Sequence, residues 1–279
     1  MLISSFDPWK GRLCTCPRKY SFSPYTGCSH GCIYCYITSY IPNAFRARVK
    51  KDVISRLKKE VKGHEELKVS YISMANSSDP YTPEEKKERV TRKALKIFQE
   101  NEIPVLIITK SDLVTRDIDI LSSMKASVSM SITYLNNENM KKIEPNAPSA
   151  DKRINAIQML SESGIPCSIR LDPIIPGVND VEIEKIVKEV APYCSHVVSS
   201  TIKPRIDAIH RLNKLIPDIM KKMQLQRMGN TYYLPLEKRK ELLEKVRDAC
   251  KQYNISFATC REGFFLAKKT CDGSHLIPK

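Results

Sequence analysis

Residues 28–35 read Cys28-Ser-His-Gly-Cys32-Ile-Tyr-Cys35 and directly follow the first predicted strand, residues 20–24. Three closely spaced thiolates on one short loop can bind three corners of a cubane iron–sulfur cluster. Because a fully ligated [4Fe–4S] cluster takes four cysteines, three cysteines leave one iron with an open coordination position. The C-x3-C-x2-C spacing therefore predicts a metal centre with Cys28, Cys32 and Cys35 as its ligands.

An open iron of this kind can chelate the amino and carboxylate groups of S-adenosylmethionine (SAM). An electron from the cluster would then break a carbon–sulfur bond and leave a 5′-deoxyadenosyl radical that abstracts hydrogen. The alternatives are a zinc site or free structural thiols. Zinc sites usually pair two C-x2-C halves or add a histidine, whereas His30 lies inside the loop and not at a ligand-like offset.

Short apolar runs alternate with amphipathic helical stretches beyond this loop. The later predicted strands cover residues 69–74, 104–109, 127–133, 166–171 and 196–201. Between them, Thr82-Pro-Glu-Glu85 is typical of a capping box with proline at the first helical position. A further helix has the apolar stripe Ile183, Ile186, Val187 and Val190. This alternation predicts a parallel sheet with right-handed crossovers.

Two of the predicted strands have a polar face. The polar residues of one are Ser127, Ser129, Ser131 and Thr133, and those of the next are Ser168, Arg170 and Asp172. Ordinary buried parallel strands are apolar on both faces. A polar face indicates a barrel interior that holds a polar ligand. We therefore expect an α/β fold with a partial (β/α)6 barrel of the TIM type, and the alternative is a flat doubly wound sheet.

The 279-residue chain has 46 Lys and Arg against 31 Asp and Glu, a net charge of +15. Residues 201–279 hold 17 basic and 8 acidic residues, and thus +9 of that charge. A basic end favours a polyanionic partner, most simply nucleic acid, and a solvated lysine-rich surface is the alternative. The chain starts without a signal-peptide pattern, and its longest aliphatic run, residues 105–108, is far too short to span a membrane. We expect a cytoplasmic protein with no membrane partner.

Ten cysteines in a reducing compartment favour metal or redox chemistry over disulfides. Cys14 and Cys16 precede the first strand, and Cys260 and Cys271 follow a short predicted strand over residues 255–259. If that strand returns alongside the first strand, the four thiols could close a second, auxiliary metal site. An iron–sulfur cluster or zinc could occupy it, and unligated thiols are the alternative.

The sequence resembles the radical SAM enzymes, and within them the branch related to spore photoproduct lyase. The resemblance spans roughly residues 20–201 and rests on ordered strings. These are Ser23-Pro-Tyr-Thr-Gly-Cys28 with the loop and Tyr36, Ser78-Asp-Pro-Tyr-Thr-Pro-Glu84, Thr109-Lys-Ser-Asp-Leu-Val-Thr-Arg-Asp117, Ser129-Met-Ser131, Glu144-Pro-Asn-Ala-Pro-Ser149 and Asp172-Pro-Ile-Ile-Pro-Gly177.

The resemblance implies a [4Fe–4S] cluster on the three loop cysteines, with SAM bound beside it. Tyr34 would lie against the adenine, and Ser78 would contact the methionyl amino group. Lys110 and Ser131 would help to seat SAM. An unidentified low-potential electron donor would reduce the cluster. The alternatives are an ordinary loop lysine at position 110 and a helix-entry serine at position 78.

One stretch departs from spore photoproduct lyase, which has a hydrogen-returning cysteine after its second strand, in a Cys-Thr-Ser-Asp stretch. The matching residues here are Asn76-Ser-Ser-Asp79. An amide cannot donate a hydrogen atom as a thiol does, so we do not expect strict spore photoproduct repair. Tyr34 and Tyr36, which flank Cys35, are the catalytic candidates for a hydrogen-return route. A packing role is the alternative for Tyr36.

The expected organisation is an N-terminal extension (residues 1–19), a radical SAM partial barrel (residues 20–203) and a basic, helical C-terminal extension that packs on the barrel (residues 204–279). The expected function is hydrogen abstraction by a radical SAM enzyme from a nucleic-acid substrate, in DNA repair or nucleic-acid modification. The alternatives are a peptide, protein or small-molecule substrate, and a non-enzymatic metal-binding module.

Overall fold

The computed structural model describes residues 1–6, 13–63, 65–74, 76–264, 266 and 269–279. Its strands are β1 (Ser4–Ser5), β2 (Tyr20–Ser21), β3 (Tyr25–Thr26), β4 (Arg48–Val49), β5 (Ile72–Met74), β6 (Val105–Thr109), β7 (Ala126–Ser131), β8 (Cys167–Ile174), β9 (His196–Thr201), β10 (Gln226–Met228), β11 (Thr231–Tyr233) and β12 (Ser256–Thr259). Its α-helices are α1 (Val53–Val61), α2 (Glu85–Glu88), α3 (Val90–Glu100), α4 (Ile118–Leu121), α5 (Asn137–Ile143), α6 (Ala150–Glu162), α7 (Ile183–Val190), α8 (Ile206–Leu212), α9 (Ile219–Lys222) and α10 (Leu236–Gln252).

Eight strands form one sheet in the order β1-β2-β5-β6-β7-β8-β9-β12. Neighbouring strands are parallel except at one edge, where β1 is antiparallel to β2. Two antiparallel ribbons lie outside the sheet, β3 with β4 and β10 with β11. Helices connect the parallel strands from β5 to β9, so the predicted α/β partial-barrel fold is confirmed.

Strands β6 and β7 differ in the polarity of their residues. In β6, Val105, Leu106 and Ile107 are fully buried, as is usual in parallel sheets. In β7, the serines are buried as well, and Ser131 lines the central cavity. The polar face predicted from the alternation in this strand therefore faces a cavity at Ser131.

The helices on the outside follow the apolar pattern, but the predicted capping box at Thr82–Glu85 is wrong. Helix α2 begins only at Glu85, Glu84 before it makes no side-chain cap hydrogen bond, and the Thr82 hydroxyl donates to Glu84 Oε2. Helix α7 buries the predicted stripe of Ile183, Ile186, Val187 and Val190. Helix α3 begins after Arg89, which adopts a left-handed conformation, and its Phe98 packs edge-on against Phe22 with ring centroids 5.4 Å apart. No helix in the described ranges is both long enough and apolar enough to cross a bilayer.

The expected position of the C-terminal strand is wrong. Strand β12 pairs in parallel with β9, with Thr259 opposite Ser199, and not alongside the first strand. The chain leaves β9, passes through α8, α9, the β10–β11 ribbon and α10, and returns in the same direction. Successive strands of a sheet are usually neighbours. The segment after residue 203 therefore extends the barrel sheet at the edge opposite β1.

Several predicted boundaries also shift. Strand β5 begins at Ile72, because Val69 is 89% exposed and cannot belong to the buried strand. Strand β2 is only two residues long, shorter than the predicted strand over residues 20–24. Tyr25 and Thr26, just beyond it, pair with β4. Strand β8 continues to Ile174, beyond its predicted end at residue 171. The basic segment over residues 204–222 is two short helices, with Pro217 between them.

Candidate metal and cofactor site

The cysteine loop begins with a turn that only glycine can make. Gly27 has a φ of +79°, and a Cβ there would lie 2.6 Å from the carbonyl oxygen of Arg46 and 2.8 Å from that of Ala44. The next amide, that of Cys28, donates to the Ala44 carbonyl at 2.7 Å. This close backbone contact fixes the position of Cys28 just after β3.

Polar side chains hold the middle of the loop. The Ser29 hydroxyl donates to Glu84 Oε1 at 2.5 Å, and the Ser29 amide donates to Thr82 Oγ1 at 3.1 Å. Asn146 Nδ2 donates to the Ser29 carbonyl at 2.9 Å. The segment after β5 and the segment after α5 thus both hold the loop at Ser29.

Arg211 on α8 holds the end of the loop. Its guanidinium donates to the carbonyls of Ile33 and Cys35, both at 2.9 Å, and to the Thr38 hydroxyl at 2.8 Å. Sequence reasoning missed this residue, because nothing in its local sequence distinguishes it from the other basic residues of the C-terminal segment. The helices after residue 203 therefore support the metal-binding loop directly.

All three loop thiols line one cavity of about 540 Å³ at the barrel interior. The same cavity is lined by every other site residue that the sequence predicted: Tyr34, Tyr36, Ser78, Lys110, Ser131, Cys14, Cys16, Cys260 and Cys271. Residues from the two ends of the chain and from four strand ends therefore meet at one place.

The loop cysteines fit a cluster better than a single ion. Burial raises the pKa of all three thiols, to about 12 for Cys28, so a bound cation is what would make them thiolates. Structural zinc sites take four protein ligands, whereas three thiolates suit a cubane, in which each thiolate binds a different iron.

Ser78 provides a second test of fit. It is 4% exposed and lines the cavity, and its hydroxyl has no hydrogen-bond partner among the described residues. An unpaired buried hydroxyl costs free energy of about 1–3 kcal/mol, so such groups normally have a partner. A polar ligand such as SAM in the cavity would supply that partner.

Glu144 connects two of the predicted SAM-binding residues. Its carboxylate accepts a hydrogen bond from the Tyr34 hydroxyl, and it lies 3.9 Å from the Lys110 ammonium. Lys110 Nζ in turn lies 5.8 Å from the centre of the Tyr34 ring. Burial opposes ionisation of Glu144, but the charges of Arg153 and Lys110 outweigh it and lower its pKa to about 2.

Asp79 joins the cysteine loop to the ends of β5 and β6. It accepts hydrogen bonds from the Thr109 hydroxyl at 2.6 Å and the Lys110 amide at 2.7 Å, and His30 Nε2 lies 3.3 Å away. Burial opposes its ionisation, but His30 and these hydrogen bonds lower its pKa. His30 is thus a buried partner of Asp79, a role that its place in the loop did not predict.

Asn76 is the residue that the sequence resemblance would place at the position of a hydrogen-returning thiol. Its side chain donates to Ser21 Oγ at 2.8 Å and accepts from Ser73 Oγ at 3.1 Å. The Tyr36 hydroxyl donates to the Asn76 carbonyl, and burial raises the pKa of Tyr36. Both residues line the cavity. The groups that they present there are an amide and a phenol.

A sequence profile of the radical SAM superfamily matches residues 22–190. The chain belongs to this superfamily. It is 37% identical over 184 residues to the uncharacterized protein MJ0683 of Methanocaldococcus jannaschii, an alignment that covers 63% of this chain and 67% of that protein. It is 24% identical over 168 residues to the radical SAM Nalpha-GlyT isomerase of Pseudomonas phage M6, covering 56% of this chain and 33% of the isomerase.

Two solved radical SAM structures share the fold. Spore photoproduct lyase complexed with a dinucleoside spore photoproduct superposes with a TM-score of 0.67 at 17% identity, covering 85% of this chain and 75% of the lyase. SuiB of Streptococcus suis bound to its precursor peptide SuiA gives a TM-score of 0.57 at 15% identity, covering 85% of this chain and 47% of SuiB. The protein is therefore a radical SAM enzyme, and its family implies a [4Fe–4S] cluster and SAM. The alternative of a non-enzymatic metal-binding module is wrong.

Proposed function

We propose that Cys28, Cys32 and Cys35 hold the [4Fe–4S] cluster of this radical SAM enzyme and that SAM binds along the adjoining cavity wall. When bound, the reduced cluster and SAM supply a 5′-deoxyadenosyl radical for hydrogen abstraction. The supporting observation is the buried Ser78 hydroxyl, which lines the same cavity as the three thiols without a partner among the described residues.

Two of the predicted SAM contacts, Ser78 and Tyr34, have a neighbour that orients them. Ser78 binds the methionyl amino group, and the adjacent Asp79 fixes its backbone to β6. Tyr34 presents its ring to the adenine, held through its hydroxyl by Glu144. Lys110 and Ser131 complete the wall and seat the remaining polar groups of SAM.

Anaerobic reconstitution with iron and sulfide, followed by dithionite and SAM, tests this assignment. The wild type should release 5′-deoxyadenosine, and a variant with Cys28, Cys32 and Cys35 all replaced by alanine should not. Full SAM cleavage by that variant would overturn the assignment. We also propose a low-potential one-electron donor as partner, because the cluster must be reduced to supply the radical. We further propose a cytoplasmic location, since none of the ten cysteines forms a disulfide.

We propose a nucleic-acid substrate, because an aromatic ring and cations meet at the cavity. Tyr40 lines the cavity and is 42% exposed, and the Arg205 guanidinium lies 5.6 Å from the centre of its ring. Lys203 and Arg261 line the same cavity. Aromatic side chains stack on nucleobases, and neighbouring cations bind the phosphates.

One structural neighbour and the charge distribution agree with this substrate class. Spore photoproduct lyase, which shares the fold, was solved with a dinucleoside spore photoproduct. Residues 201–279 hold 17 of the 46 basic residues of the chain, and Lys203, Arg205 and Arg261 are among them. We propose modification or repair of a nucleic acid other than strict spore photoproduct repair, because Asn76 replaces the thiol.

Binding of a fluorescent single-stranded oligonucleotide over a salt series tests the substrate class. Phosphate contacts should make the logarithm of the association constant fall linearly with the logarithm of the salt concentration. Tyr40→Ala should weaken binding by roughly five- to a hundredfold, as expected for the loss of one base stack, and Tyr40→Phe should retain binding.

Tyr253→Ala is the matched control, because Tyr253 is 38% exposed at the end of α10 and does not line the cavity. It should leave the affinity unchanged. Equal effects of the Tyr40 and Tyr253 replacements would contradict the stacking role. Binding that is independent of salt, together with binding of a peptide, would favour the peptide substrate that SuiB exemplifies.

A further inference from the structure

Four cysteines from the two ends of the chain converge beside the cavity. The sulfur atoms of Cys16 and Cys271 are 3.5 Å apart, although the residues are 255 positions apart in sequence. Cys14 and Cys260 line the same cavity as these two thiols. We infer that Cys14, Cys16, Cys260 and Cys271 ligate a second iron–sulfur cluster.

The scaffold around these thiols is built by contacts that need no metal. Lys19 Nζ lies 2.6 Å from Asp272 Oδ2, and the two side chains are at most 3% exposed. The Tyr71 hydroxyl donates to the same carboxylate oxygen at 2.7 Å. This buried ion pair fixes Asp272, which follows Cys271, to Lys19, which lies three residues after Cys16.

Cys260 is fixed from the other side. It follows β12 directly, and its amide donates to the Ser199 carbonyl of β9 at 2.9 Å. The loop beyond it packs on the N-terminal segment so closely that a Cβ at Gly263 would lie 2.8 Å from a methyl carbon of Leu13. Glu262 anchors this loop, because its buried carboxylate accepts the Thr201 amide and the Lys203 ammonium, each at 2.7 Å.

The spacing of the sulfur atoms allows two of the four thiolates to bind one iron of a cluster. The Cys16–Cys271 separation of 3.5 Å is close to the ~3.8 Å that two thiolates span on one tetrahedral metal at ~2.3 Å bond lengths. A four-cysteine cluster takes its other ligands at a further iron, where Cys14 and Cys260 are available.

Basic side chains offset the charge of such a site. Lys19 Nζ lies 3.7 Å from Cys16 Sγ, and Arg170 lines the same cavity as Cys260. Buried thiolates need cations of this kind beside the metal. With four cysteine ligands, no iron stays open, so this cluster would exchange electrons and leave SAM binding to the loop cluster.

Iron and acid-labile sulfide, counted per chain after anaerobic reconstitution, test the inference without an activity assay. The Cys28→Ala/Cys32→Ala/Cys35→Ala variant leaves all four proposed ligands intact. It should retain about two to four irons with matching sulfide, and the wild type should hold about four more. Dithionite should produce a paramagnetic resonance signal in the variant.

Two further replacements in that background separate the site from other thiols. Cys16→Ala/Cys271→Ala should remove the remaining iron. Cys167→Ala/Cys250→Ala should not, because these buried thiols do not line the cavity. A triple variant that holds no iron, beside a wild type with about four, would overturn the inference, as would a triple variant that binds only zinc. Two clusters without SAM cleavage would contradict the proposed function instead.

Discussion

The guanidinium of Arg153 lies 2.5 Å from the carboxylate of Glu144, and neither side chain is more than 1% exposed. Arg153 belongs to α6, and Glu144 accepts the hydroxyl of Tyr34 in the cysteine loop. Arg153 also donates to the Ser131 carbonyl at the end of β7, at 3.0 Å. One buried ion pair therefore ties an outer helix, a barrel strand and the metal-binding loop together.

Breaking this pair should be costly. Replacing Arg153 with methionine keeps the volume but leaves the Glu144 charge buried without its partner, so the free energy of unfolding should fall by about 3–5 kcal/mol. Anaerobic denaturant unfolding measures it. Arg247→Met is the control, because Arg247 pairs with Asp248 at the surface, and its loss should cost about 0–1 kcal/mol. Equal losses in the two variants would contradict the role of the buried pair.

The same carboxylate should make stability depend on pH. The pKa of Glu144 falls from 4.5 to about 2 in the folded protein. Its contribution is therefore complete above pH 4.5 and lost as the pH falls toward 2, and it amounts to roughly 3 kcal/mol. The difference in unfolding free energy between wild type and Glu144→Gln should shrink over this window. A difference that stays constant from pH 6 to pH 3 would exclude this carboxylate as the source.

Three features were predictable because each depends on residues near one another in sequence. These are the cysteine loop, the polar face of β7 and the apolar stripe of α7. The pairing of Glu144 with Tyr34 was not predictable, since the two residues are 110 positions apart and only the barrel brings them together. The edge chosen by β12 was also mispredicted, because four residues of strand pattern do not specify a neighbour. Arg211 shows the same limit, as its contacts with the loop span 176 and 178 positions.

Gly27→Ala should disrupt the metal-binding loop. The added Cβ would meet two backbone oxygens closer than 3.0 Å, in addition to the strain of a φ of +79°. Gly164 is a matched control, because its φ is +76° and no atom lies within 4 Å of its Cβ position. The Gly27 variant should lose most of its loop-bound iron and more stability than Gly164→Ala, which should keep its iron. Iron content and thermal unfolding report both effects.

Asn76 should prevent efficient spore photoproduct repair. Its amide is bonded to Ser21 and Ser73 and cannot return a hydrogen atom. Wild-type enzyme incubated with a spore photoproduct dinucleotide, dithionite and SAM should yield little thymidine product, and Asn76→Cys should yield more. Chromatography of the products distinguishes the two. Efficient repair by the wild type would mean that another residue supplies the hydrogen.

Ser78→Ala should separate ligand binding from stability. Because the Ser78 hydroxyl has no partner among the described residues, its removal should not destabilise the SAM-free protein, and it could stabilise it by about 1 kcal/mol. The same change should weaken SAM binding several-fold, as measured by anaerobic calorimetry.

Ser129→Ala is the control for burial. Its hydroxyl is likewise unpaired in the described chain but does not line the cavity, so the SAM affinity of this variant should not change. Ser73→Ala should instead lower stability, because its hydroxyl donates to Asn76. Unchanged SAM affinity in the Ser78 variant would remove this residue from the site.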